Sequence, residues 1–258
     1  MSWFEHETAR IYYEESGEGE AVLLLPGFAG STAELSALQG SLLDAGYKVI
    51  AGDLPGSGRS GPQPRAYTAT YYEEDARSFI ALLRHLGAAP AHLIGFSDGG
   101  EVSLLMAALS PNVARSVVTW GSAGAISDPE GQLRAALYGV VDDPIPPLRG
   151  FRDYLLATYG EGNARAMTQS LVGAQTAIIE RGGDISVSRA ARITCPVLLI
   201  AGEHDFLASP QLVSQLAAHL PQAKVVIVDG AGHSIHHERP EWLAEVIVGW
   251  LNEQAERE

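Results

Sequence analysis

Gly95-Phe96-Ser97-Asp98-Gly99-Gly100 sets a serine between a short apolar run, Ala91 to Ile94, and a segment of helical character, Glu101 to Leu109. A serine in a sharp strand-to-helix turn is a candidate nucleophile. Glycine two residues before and after leaves room for the turn, and amides at the helix start face any oxyanion formed beside the hydroxyl. The alternative is a glycine-rich turn with an incidental serine, and the pattern alone does not decide between them. A nucleophilic serine needs a base, and the base needs an acid to orient it. Asp205 follows the apolar run Val197 to Ala201, and His233 follows Lys224 to Val228, so the three stand in the order Ser97, Asp205, His233. Glu203 is a rival for the acid. His233, His236 and His237 share one segment, with no Cys or Glu at familiar ligand spacing, so neither a metal nor a cofactor is expected. His6, His85, His92 and His219 read as surface or strand-end residues.

Those side chains need a scaffold. Phe4 to His6 and Ala9 to Glu15 read as two short strands around a turn, and Ala21 to Leu25 is apolar without alternation, as a strand buried on both faces must be. The loop Pro26-Gly27-Phe28-Ala29-Gly30-Ser31 follows, able to offer the Phe28 N–H to an oxyanion or to serve as an ordinary turn, and then a helix over Ala33 to Ala45. Tyr47 to Ala51 is the next strand, and Asp53 and Arg59 in the loop after it are expected to hold that loop by hydrogen bonds and charge pairing. A helix over Tyr71 to Leu86, the strand before Ser97, the helix after it and a strand over Ser116 to Trp120 continue an alternation that calls for a parallel sheet with helices on both faces. The rhythm stops between Ser122 and Asp184. That segment carries helical pieces, Glu130 to Val140, Phe151 to Tyr159 and Asn163 to Ile179, the last two divided by Gly160-Glu161-Gly162. It is an insertion that can lie as a lid over the carboxyl edge of the sheet or pack elsewhere. Val197 to Ala201, a helix from Pro210 to His219, Lys224 to Val228 and a helix from Pro240 to Asn252 complete the core, and Glu253 to Glu258 is expected to fray.

At 258 residues the chain can bury one large core, and 46% of its residues are hydrophobic. A net charge of −14 disfavours nucleic acid and anionic membrane surfaces and is compatible with neutral or cationic small molecules. No apolar stretch approaches the ~20 residues of a membrane span, and the residues after Met1 lack the basic and apolar regions of a signal peptide, so a cytoplasmic protein is expected. The single cysteine, Cys195, excludes an internal disulfide, and its place before Pro196 at a strand start suits a small buried residue. Oligomeric state is not legible.

Leu24 to Ser31, Asp53-Leu54-Pro55-Gly56-Ser57-Gly58-Arg59-Ser60, Gly95 to Gly100, Gly202-Glu203-His204-Asp205, and Gly232-His233 with Glu238-Arg239-Pro240 together resemble the α/β-hydrolase superfamily over nearly the whole chain. The resemblance implies an eight-stranded, mostly parallel sheet over residues 1–121 and 185–258 and a helical cap over 122–184. It also implies Ser97 as nucleophile, His233 as base, Asp205 as acid and the N–H groups of Phe28 and Asp98 as oxyanion hole. Many relatives have His-Gly before the oxyanion residue where this chain has Pro26-Gly27, so the packing of that loop is where a difference is expected. Leu23 to Gly27 with Ser97-Asp98-Gly99-Gly100 and Val118-Thr119-Trp120-Gly121 is similar to the valacyclovir hydrolase, or biphenyl hydrolase-like, branch.

That branch implies a cofactor-free serine hydrolase acting on a small carboxylic ester, with α-amino-acid esters preferred. Asp98 has two readings: a carboxylate that holds a substrate ammonium, worth roughly 3 kcal/mol at ~5 Å and an effective dielectric of about 20 before desolvation, or a residue that opens a helix, where negative charge is worth ~0.3–1 kcal/mol. The same residues would also serve a lactonase, a C–C bond hydrolase, a perhydrolase or a ligand-binding protein that retains the fold.

Overall fold

The computed structural model describes residues 2–128 and 130–256. Eight strands form one sheet: β1 (Ser2–His6), β2 (Ala9–Ser16), β3 (Ala21–Leu25), β4 (Lys48–Gly52), β5 (Ala91–Phe96), β6 (Ala114–Trp120), β7 (Val197–Gly202) and β8 (Ala223–Val228). Their spatial order is β1-β2-β4-β3-β5-β6-β7-β8. The β1 hairpin pairs antiparallel at one end, and every pair from β4 to β8 is parallel. Central strands buried on both faces must be apolar throughout, and all six residues of β5 and of β7 are buried. The edge strand β8 is half exposed.

The helices are α1 (Ser36–Asp44), α2 (Tyr71–His85), α3 (Asp98–Leu109), α4 (Gln132–Tyr138), α5 (Arg149–Glu180), α6 (Pro210–Ala217), α7 (Ile235–Glu238) and α8 (Pro240–Ala255). α2, α3 and α6 cover one face of the sheet; α1 and α8 cover the other. Phe79, Leu82 and Leu83, spaced along one side of α2, are all fully buried, each contributing about 1.5–3 kcal/mol. A tight 3-10 turn over Thr32–Leu35 precedes α1, where the sequence suggested one helix from Ala33. α8 runs to Ala255, further than the expected fraying point; the last two residues lie outside the described ones.

Between β6 and β7 the chain leaves the sheet and, among the described residues of this segment, makes α4, α5 and an isolated bridge between Ala125 and Asp184. The two ends of the excursion are tied together: Ile126 N–H donates to Gly183 O at 2.8 Å, and Ile185 N–H to Gly124 O at 2.9 Å. The expected break across residues 160–162 contracts to one residue. Gly160 (φ 72°, ψ 160°) kinks α5, and the helix resumes at once. Val140, Val141, Leu155, Tyr159 and Met167 pack as a separate apolar cluster around Ala29, so the inserted helices rest on the loop after β3.

Parallel register brings the carboxyl ends of the strands level. Leu25 pairs with Gly95, Phe96 with Trp120, Trp120 with Ile200 and Gly202 with Val228. The loops carrying Phe28, Ser97, Asp205 and His233 all emerge at this edge.

Candidate active site

Ser97 follows β5 directly and opens α3, with φ 51° and ψ −118°. A non-glycine residue held there costs on the order of 1–3 kcal/mol. Its neighbours impose it: Ser97 N–H donates to Trp120 O at 2.9 Å, and Ser97 O accepts from Gly100 N–H at 2.9 Å and from the Ser122 hydroxyl at 2.8 Å. Gly95 and Gly99 are required by close approach. A methyl group at 95 would lie 2.2 Å from the Gly99 carbonyl oxygen, and one at 99 would lie 2.4 Å from the Pro26 oxygen.

His233 Nε2 lies 3.1 Å from Ser97 Oγ, and its Nδ1 lies 2.8 Å from Asp205 Oδ2. The other Asp205 oxygen accepts the N–H groups of Leu207 and Ala208 at 2.8 and 2.9 Å. Burial opposes the charge on Asp205, but the bond and charge of His233 and the two amides outweigh it and hold the carboxyl below its ordinary range. An ionised carboxylate only accepts, so Nδ1 carries the imidazole proton and Nε2 is free to accept from the serine hydroxyl. Glu203 is elsewhere, accepting Gly230 N–H at 2.9 Å.

The loop after β3 lies against Ser97: a methyl group on Gly27 would stand 3.2 Å from Ser97 Cβ. Neither Phe28 N–H nor Asp98 N–H has an acceptor among the described residues. The next amide, Ala29 N–H, is taken by Ser57 Oγ at 3.1 Å. Asp53 is fully buried and holds two loops together, accepting Thr32 N–H at 2.6 Å and Arg59 N–H at 2.7 Å; Arg59 Nε approaches it at 3.9 Å. The loop-holding work expected of Asp53 and Arg59 is what these contacts do.

Asp98 is buried, and its carboxylate accepts the Tyr71 hydroxyl at 2.8 Å. Tyr71 meets Tyr67 edge-on at 5.1 Å between ring centroids, and Tyr67 meets Phe28 at 5.7 Å, so one aromatic wall joins Asp98 to the Phe28 loop. Burial, and then the negative charge of Asp98, push the Tyr71 hydroxyl far above its ordinary range and keep it a donor. Behind the wall Arg65 makes two bonds to Asp75, at 2.7 and 2.8 Å, and stacks on Tyr67. On α3, Glu101 accepts Ala123 N–H and Gly124 N–H at 2.9 and 2.8 Å and so fastens the exit of β6 beside Ser97. Burial pushes its carboxyl up to about 7 in spite of those bonds.

His236 and His237 do meet a carboxylate, one no local spacing could reveal. Glu34 Oε1 lies 3.1 Å from His236 Nε2 and 3.7 Å from His237 Nε2. The donors look suited to a divalent cation, but Trp120 Nε1–H donates to His236 Nδ1 at 3.1 Å. With Nδ1 accepting, a neutral imidazole must carry its proton on Nε2, which then donates to Glu34 and has no lone pair for a metal. The arrangement instead links the loop of His233 to the turn that follows the Phe28 loop. His92, expected at a strand end or surface, is fully buried in β5 with Nδ1 2.8 Å from Ser116 Oγ. Cys195 is half buried, and burial pushes its thiol up to about 11, which leaves it a poor nucleophile.

A mostly parallel sheet with a strained serine after a central strand, and with a carboxylate and a histidine following it in that chain order, defines the α/β-hydrolase class. Residues 22–246 match the alpha/beta hydrolase family, and the chain belongs to it. It is 28% identical over 230 residues to "Serine hydrolase BPHL" of Homo sapiens, covering 88% of this chain and 78% of that protein, which bears out the likeness to the biphenyl hydrolase-like branch. Its fold is shared with a thermophilic esterase from Thermogutta terrifontis (TM-score 0.73, 22% identity, 95% and 94% of the two chains). The enol-lactonase from Burkholderia xenovorans LB400 is similar in fold too (TM-score 0.76, 20% identity, 97% and 100%). The chain is an enzyme of the hydrolase class. No helix among the described residues is long and apolar enough to cross a membrane.

Proposed function

We propose that this protein is a serine hydrolase of small carboxylic esters, working through an acyl-enzyme on Ser97 and preferring α-amino-acid esters. The observation that carries the hydrolytic reading is the hydrogen-bonded chain Ser97 Oγ, His233, Asp205. Ser97 Oγ attacks the ester carbonyl and its proton passes to His233 Nε2, while the carbonyl oxygen becomes an oxyanion held by Phe28 N–H and Asp98 N–H. The tetrahedral adduct collapses, His233 gives its proton to the departing alkoxide, and the alcohol leaves. Water then attacks the acyl group, giving a proton to His233. The second adduct collapses to the carboxylic acid, and Ser97 recovers its proton. The helices of residues 122–184 form the cap over this site in the same reading, and a cytoplasmic setting suits the single unpaired cysteine.

The preference for an amino ester rests on Asp98. Its carboxylate adjoins the nucleophile, Tyr71 fixes its orientation, and among the described residues no lysine or arginine pairs with it, so its charge is left for a ligand. Asp98→Asn keeps an oxygen for Tyr71 and removes the charge. It is expected to lower kcat/KM about 30-fold for a free-amine ester, the ~3 kcal/mol of attraction less part of it lost to desolvation, and by less than threefold for the N-acetylated ester. Steady-state kinetics on this pair of esters is the check. Equal losses on both would make Asp98 a helix-opening residue without a part in substrate choice.

A further inference from the structure

Two tyrosines of the inserted helix α5 reach the loop beside Ser97 and end on one atom. Tyr154 Oη donates to Ala29 O at 2.8 Å, and Tyr159 Oη donates to the same oxygen at 2.6 Å. The other half of that peptide group, Gly30 N–H, donates to Gly27 O at 3.0 Å. The amide of the Gly27 carbonyl's own peptide group is Phe28 N–H, whose acceptor in the catalytic cycle is the oxyanion. Tyr159 is itself an acceptor, taking Gly58 N–H at 2.7 Å. An unbroken relay thus runs from Gly58 N–H through Tyr159, the Ala29–Gly30 peptide and the Gly27–Phe28 peptide to the oxyanion.

We propose that Tyr154 and Tyr159 are positioning residues that set and polarise the oxyanion loop, so that the Phe28 amide reaches full strength only when α5 is seated on that loop. The inference rests on the hydrolytic reading and assigns part of its rate to the inserted helices. A hydrogen bond accepted by a carbonyl makes the N–H of the same peptide a stronger donor, by about a tenth to a third per link, and here two donors converge at the head of the relay. The contacts also fix geometry. Ala29 sits at φ 59°, which a residue with a side chain rarely adopts, and its amide is pinned to Ser57 Oγ at 3.1 Å. Both hydroxyls are held as donors, since burial raises them above their ordinary range. Tyr159 is buried and Tyr154 is partly exposed, so one link lies inside the cluster around Ala29 and the other at its rim.

The test is made on the whole chain with Tyr154→Phe, Tyr159→Phe and the double variant, which keep the rings and remove the hydroxyls. With p-nitrophenyl acetate, each single variant is expected to lose about 3–5-fold in kcat and the double about 10–30-fold, a fraction of the 100-fold or more that a whole oxyanion donor is worth, with KM within twofold of the wild type. The ester carbonyl stretch of an acyl-enzyme trapped at low pH is expected to move to higher frequency in the same order, because a weaker Phe28 donor polarises it less. A helix that merely covers the site would alter KM and leave that stretch in place. The relay is overturned if the double variant keeps kcat within twofold, or if kcat falls with the carbonyl stretch unmoved. Tyr154→Phe touches a rim residue and decides the matter alone if the Tyr159 variant does not fold. Absence of turnover by the wild type would count against the hydrolytic reading, and it would be seen before any variant is compared.

Discussion

Ser97→Ala is expected to lower kcat for any ester the protein hydrolyses by roughly 10⁴-fold or more while leaving the fold intact. In the proposed mechanism the loss is large because the hydroxyl is the atom that bonds to the acyl carbon, and the Cys195 thiol, two residues before β7, is a poor nucleophile because burial pushes it up to about 11. The fold is indifferent to the change. What holds residue 97 at φ 51° is its backbone, through Trp120 O, Gly100 N–H and the Ser122 hydroxyl, and none of these contacts uses Oγ. Initial rates on p-nitrophenyl acetate together with a thermal melt are the check. Unfolding at the wild-type temperature with no turnover is the predicted pair of results; turnover within tenfold of wild type would remove Ser97 from the mechanism.

Asp205→Asn is expected to cost about 10³–10⁴-fold in kcat with the backbone undisturbed. The asparagine oxygen inherits the amides of Leu207 and Ala208, which leaves its NH₂ group facing His233 Nδ1. Nδ1 must then accept, so the imidazole proton moves to Nε2, where it points at Ser97 and would block the transfer that starts the proposed reaction. Stability carries a second signature. The Asp205 carboxyl is depressed in the folded chain relative to the unfolded one, so its stabilising contribution is fully present above the ordinary carboxylate range and is lost as pH falls through the folded value. Denaturant titrations should show the variant less stable than wild type at neutral pH, with the gap closing in acid. A gap that widened toward acid would contradict the assignment of the charge.

Features that depend on a few neighbouring residues were legible in the sequence. The strands announced themselves because a strand covered on both faces has no polar side, as in Val197 to Ala201. The turn at Ser97 was legible because only glycine tolerates the approach of the Pro26 and Gly99 carbonyls. Asp205 was picked out by its place after such a strand, and His233 by its place after the half-exposed edge strand β8. What escaped is what joins distant residues. Glu34 and His236 stand 202 positions apart, and Tyr154 and Tyr159 stand 125 and 130 from Ala29, so no spacing rule connects them. The inserted segment showed the same limit. Gly160-Glu161-Gly162 reads as a break, since two glycines weaken a helix by about 1 kcal/mol each, yet a single kink at Gly160 suffices and α5 continues to Glu180. His92 does stand near a strand end, second in β5, but its burial was not legible, because the Ser116 hydroxyl 2.8 Å from its Nδ1 comes from the neighbouring strand.

A covalent bond to Ser97 is the central step of the proposed mechanism, and capture of the acyl-enzyme tests it most directly. The protein is mixed with p-nitrophenyl trimethylacetate, whose bulky acyl group slows the water step, quenched in acid within seconds and weighed intact, and the modified peptide is then sequenced by mass spectrometry. The prediction is one trimethylacetyl group per chain, on Ser97, and none on the Ser97→Ala protein. An adduct on any other residue, or release of p-nitrophenol at the full rate from a Ser97→Ala protein, would contradict it.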